Sequence, residues 1–138
     1  MPLDELFSRH LQWFFAWNAL SLLLGLISLR RSYQFTRSFG WMLLSWALAN
    51  TLVWCWLINH IDPYPSPWLD WHKIHLREMM LLNLQLDLLY GVLALLLLLI
   101  GYLLKKNRLA WWGLAAGLIF QALGLFILDL QLFQALKI

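Results

Sequence analysis

Met79 to Leu104 reads MMLLNLQLDLLYGVLALLLLLIGYLL, and its only charged residue is Asp87. At about 1.5 Å per residue, about 20 apolar residues cross the hydrocarbon of a bilayer, so this stretch specifies a transmembrane helix. Working outward, three more stretches qualify, giving spans at roughly 11 to 29, 39 to 59, 79 to 104 and 110 to 136. Of 138 residues, 62% are hydrophobic and 12% charged, which no soluble domain of this size could cover with water-facing surface. The expectation is all-α: a four-transmembrane-helix bundle, one integral membrane domain over 1–138, with an outer loop at 60–78.

Asp4 and Glu5 precede the first apolar run in place of a basic head, and no small-residue cleavage site comes before Arg30 and Arg31. That run is read as a retained span, not a signal peptide. Cys55 is the only cysteine, which excludes an internal disulfide, a dithiol redox pair and a thiolate cage within one chain.

Arg30, Arg31 and Arg37 flank the first connection and Lys105, Lys106 and Arg108 fill the third, without an acid in either. The positive-inside rule then puts both turns in the cytoplasm and both termini on the extracytoplasmic side. His10, His60, His72 and His75 all fall on the outer side of this scheme. Trp13, Trp54, Trp56, Trp68 and Trp71 mark the outer boundary, and Trp41, Trp111 and Trp112 the inner one, as aromatic belts do. The basic excess suits an anionic leaflet, and nucleic acid is not implied, since no basic stripe carries interleaved exposed aromatics.

Each span carries one polar stripe at 100° per residue. Asn18, Ser21 and Gly25 share a face of the first, and Trp46, Asn50 and Trp54 a face of the second. Met80, Asn83, Asp87, Tyr90, Gly91 and Ala94 align in the third, so the Asn83 amide and Tyr90 hydroxyl are expected near the Asp87 carboxyl. In the fourth, Asp129 follows the line of Ala115 and Ala122. Asn18, Asn50, Asn83, Asp87 and Asp129 all fall roughly 8 to 14 Å below the outer boundary, which predicts one buried polar layer on the bundle axis. Gly113, Gly117 and Gly124 form a separate seam for close helix packing, within the chain or between two copies.

Three of these patterns also carry a family resemblance: Trp46-x3-Asn50, Asn83-x3-Asp87-x2-Tyr90-Gly91 and Gly117-x3-Gln121-x7-Asp129, in successive spans. Over roughly residues 40 to 130 the chain resembles an uncharacterised family of small four-span bacterial membrane proteins, a domain of unknown function. Where that family often places glycine after the tryptophan and the glutamine, this chain has Ala47 and Ala122. The resemblance implies a fold and candidate positions, and no activity.

Intramembrane carboxyls are costly and rare, so Asp87 and Asp129 are read as devices. They serve either as interhelical glue, satisfied by Asn18, Asn50, Asn83, Gln121 and Tyr90, or as a relay or anchor for a proton, cation or ligand. A transporter of familiar design is disfavoured, because Pro2, Pro63, Pro65 and Pro67 all lie outside the spans and no internal repeat occurs. On the outer side, His72, His75 and Glu78 recur three apart, with His60 or His10 to complete a candidate metal set. An interfacial amphipathic helix explains the same residues. Haem ligation has less support, since no histidine lies at mid-membrane depth; the sequence names no cofactor. Ser21, Ser28 and Ser45 have no histidine at their depth, and no Gly-x-Ser-x-Gly or phosphate loop occurs. The expected role is therefore non-catalytic. It is that of a multi-pass protein of the cell membrane, the bacterial inner membrane, packed as a homo-oligomer or as an accessory subunit of a larger complex.

Overall fold

The computed structural model describes residues 3–60 and 70–136, with side chains placed for 5–53, 55–56 and 72–136. The expectations resting on Asp4, Trp54, His60, Trp68, Trp71 and the prolines therefore lie outside the described residues or side chains. Every regular element among the described residues is an α-helix: α1 Leu3–Leu29, α2 Gln34–His60, α3 Asp70–Leu104 and α4 Arg108–Ala135. None contains a proline, and leucine dominates, so nothing in these sequences removes a helical donor or favours a break.

Three helices, α1, α3 and α4, are long and apolar enough to cross a membrane. The sequence reading counted four; α2 has the length, 27 residues, and its apolar stretch runs on into residues whose side chains lie outside those described. Helix α3 begins at Asp70 and runs for 35 residues, so the second half of the connection expected at 60–78 is helical. Residues 70–78 are the first turns of α3, continuous with the apolar stretch, not a separate interfacial helix. At about 1.5 Å per residue α3 is roughly 50 Å long, well beyond the thickness of a hydrocarbon layer.

The turns are tight. After α1, the Arg30 and Arg31 amides donate to the Ile27 and Ser28 carbonyls at 3.2 Å each, closing the last turn with shorter-range bonds. Between α3 and α4, Lys105 (φ 47°) and Asn107 (φ 59°) both adopt left-handed backbone. Asparagine tolerates that conformation, and for lysine it costs about 1–2 kcal/mol. The Gln34 amide reaches the Asn107 side-chain oxygen at 3.5 Å, so the α1–α2 and α3–α4 turns lie at the same end.

Helix α4 is the pivot, packed against α1, α2 and α3 alike, while among the described residues the backbone of α3 comes within 8 Å of no helix but α4. Small residues allow it. A methyl at Gly113 would strike the Phe35 carbonyl of α2, one at Gly117 would lie 2.7 Å from Met42 Cβ, and one at Gly124 would enter the Trp17 ring of α1. Large side chains close the wider gaps. Phe7 and Leu11 of α1 meet Leu76 and Met80 of α3 with Leu132 of α4 and Leu136 just after it, and the Trp46 ring meets Tyr90 edge-on, centroids 4.5 Å apart.

Candidate functional site

The polar stripes meet in three groups, each joining at least two helices. Highest on α4, Asp129 presents Oδ1 to His10 Nε2 at 3.4 Å, with both side chains about nine-tenths buried. Asn83 of α3 donates a side-chain hydrogen bond to the same carboxyl, and the His10 ring also bonds the Leu128 backbone. This cluster ties α1, α3 and α4. Asp87, 6% exposed, lies close enough to Asp129 and to Tyr90 for their charges to act on one another. Among the described residues its Oδ2 has no hydrogen-bond partner, and the same is true of Asn50 Nδ2 on α2 and of Asn18 Oδ1 on α1.

The second group joins α1 to α2. Asn18 Nδ2 donates to Thr51 Oγ1 at 2.8 Å and to the Ala47 carbonyl at 3.2 Å, while the Thr51 hydroxyl donates to the same carbonyl at 2.8 Å. The third group joins α1 to α4. Gln121 Nε2 donates to Ser21 Oγ at 2.7 Å, and Trp17 Nε1 donates to Gln121 Oε1 at 3.1 Å. Gln121 and Ser21 are 2% and 0% exposed, so both amide ends of Gln121 are used in a setting where loss of either would leave a buried polar group bare.

Besides the residues expected at one depth, Gln121 forms a group of its own with Ser21 and Trp17. Gln121 lies eight residues inward of Asp129 on α4, roughly 12 Å along the helix axis. Asn18 is turned to α2 and Asn83 to Asp129, where the wheel of α3 alone placed the Asn83 amide beside Asp87. Trp46 and Tyr90 meet as an edge-to-face pair, and Asn50 follows Trp46 by about one turn of α2.

His10, expected on the outer side as an alternative to His60 for completing a metal set, is buried against Asp129. Helix α1 starts at Leu3, and with the helix continuous His10 falls about 20° from Ser21 on the wheel, among the inward-facing residues. That periodicity was the available signal. His72, His75 and Glu78 are not brought together as a metal centre: no group of three His, Cys, Asp or Glu among the described residues could hold an ion. The glycines Gly113, Gly117 and Gly124 are filled by α2 and α1 of the same chain.

A family model described as Family of unknown function (DUF6992) matches residues 13–130. The chain belongs to that family. The match extends toward the N-terminus of the roughly 40–130 that the resemblance covered, and so takes in most of α1 with Asn18 and Ser21, leaving His10 just outside. No curated protein and no solved structure matches the chain.

Proposed function

We propose that this DUF6992 member is a four-span protein of the cell membrane, of the bacterial inner membrane, with both termini on the extracytoplasmic side. It acts without catalysis, as a structural or accessory subunit in a small homo-oligomer or a larger complex. The observation that carries this reading is the mutual satisfaction of polar groups between helices: Asn18 with Thr51, Gln121 with Ser21 and Trp17, and Asp129 with His10. Groups so used tie helices together where no water is at hand. The outward face of α3 supports the same reading, since Leu88, Leu95 and Leu103 are each more than 60% exposed, a surface suited to lipid. Alkaline extraction of membranes followed by mass measurement of the purified particle tests it. The protein should stay in the membrane fraction and migrate as a stoichiometric assembly; release by carbonate, or a strict monomer, refutes it.

A second reading has one specific observation in its favour. The buried Oδ2 of Asp87, without a partner among the described residues, suits proton, cation or ligand handling, because an intramembrane carboxyl is costly to keep for packing alone. Proton flux in liposomes that disappears in folded Asp87→Asn would establish it in place of the first.

A further inference from the structure

Gln34, Arg37, Ser38 and Trp41 recur at i, i+3, i+4 and i+7 along the start of α2, and so form one stripe. With Ser32 from the preceding turn they line an open cavity of about 430 Å³. Its head is polar. The Arg37 guanidinium is a planar fork that matches two phosphate oxygens at once, and the Ser32 and Ser38 hydroxyls supply further donors. Its foot is apolar with a polar edge: the Trp41 ring, 57% exposed, lies one turn deeper toward the apolar part of the helix.

The charge around the cavity has one sign. Arg30, Arg31 and Arg37 lie at the α1–α2 turn, Lys105, Lys106 and Arg108 at the α3–α4 turn, and no Asp or Glu occurs in residues 30–38 or 105–108. The contact between Gln34 and Asn107 holds these two turns at one end of the molecule. Arg108 is stacked 4.0 Å over the Trp112 ring, so its charge stays at that end also.

We propose that this cavity binds the phosphodiester headgroup of an anionic phospholipid, with Arg37 on the phosphate, Ser32 and Ser38 on its remaining oxygens, and Trp41 against the glycerol and upper acyl chain. The inference rests on the membrane reading above. The arrangement of donors and ring along one stripe selects this class over free phosphate. A free phosphate satisfies Arg37 and the serines but gives the exposed Trp41 ring nothing to cover, whereas a phospholipid presents charge and apolar chain in that order.

The test uses the full chain in nanodiscs of equal phosphatidylglycerol and phosphatidylcholine, with native mass spectrometry of the lipids retained on release. Wild type should keep phosphatidylglycerol preferentially, and Arg37→Ala should reduce that retention about tenfold, as expected for loss of a charge-assisted bond. Arg37→Lys, which keeps the charge and loses the fork, should fall between them. Arg31→Ala, outside the cavity lining, should change retention by less than about twofold at physiological salt. Arg37 is exposed, and unchanged thermal melts of its variants show that they are folded. Equal retention of the two lipids, unchanged retention in Arg37→Ala, or displacement of the lipid by millimolar inorganic phosphate each overturns the proposal. A chain released from membranes by carbonate fails the membrane reading instead, a separate result.

Discussion

Asp129 holds partners from two helices, His10 and Asn83, whereas one oxygen of Asp87 holds none. The two carboxyls therefore differ in what their removal leaves behind. Asp129→Leu strips Asn83 and His10 together and should destabilise by about 2 kcal/mol, while Asp87→Leu should cost about 1 kcal/mol or less. Asp129→Asn keeps a hydrogen-bonding group at the same place and should remain within about 1 kcal/mol of wild type. Thermal melts of the three variants in one detergent decide the order, and a larger loss at Asp87 would show that Asn83 is held there instead. Gln121→Leu belongs to the same scale. It leaves Ser21 Oγ and Trp17 Nε1 bare in a buried setting, for an expected cost of about 1–3 kcal/mol.

At the scale of the helix, glycine has opposite meanings at two positions. A β-carbon at Gly113 would collide with the Phe35 backbone, which cannot swing aside, whereas one at Gly91 meets nothing within 4 Å. Gly113→Ala should therefore destabilise by about 1–3 kcal/mol through separation of α2 and α4. Gly91→Ala should stabilise by up to about 1 kcal/mol, since mid-helix glycine is entropically costly. Denaturant or thermal titration of both variants checks the contrast; equal effects would refute the close α2–α4 contact. The α3–α4 turn offers a second comparison. Lys105 sits at φ 47°, a region that glycine adopts freely, so Lys105→Gly should raise stability by about 1 kcal/mol by relieving backbone strain.

At the scale of the whole molecule, α4 is held by every other helix, and α3 depends on α4 for its backbone packing. The proposed orientation rests on the basic residues of the two short turns. Reporter fusions at Asn107 and at the C-terminus should fall on opposite sides of the membrane, and a common side would refute the four-span topology. The existence of four helices and the places of their polar stripes were legible in the sequence, because apolar length and 3.6-residue periodicity are local properties summed along one segment. The family of unknown function was legible too. Which stripe faces which was not. A helical wheel assigns Asn83 and Asp87 to one face of α3, but only the packing of α3 against α4 turns Asn83 to Asp129 and leaves an oxygen of Asp87 bare. His10 became part of that cluster because α1 begins at Leu3, and the start of a helix in mixed polar sequence is a weak local signal. Likewise Gly113, Gly117 and Gly124 read first as an internal seam and second as an external one, and only the tertiary structure names Phe35, Met42 and Trp17 as what fills it. Sequence by itself determined the helices and the residues each can offer. The partners were decided only in the tertiary structure, because pairing depends on the rotation and height of one helix against another, which no single segment encodes.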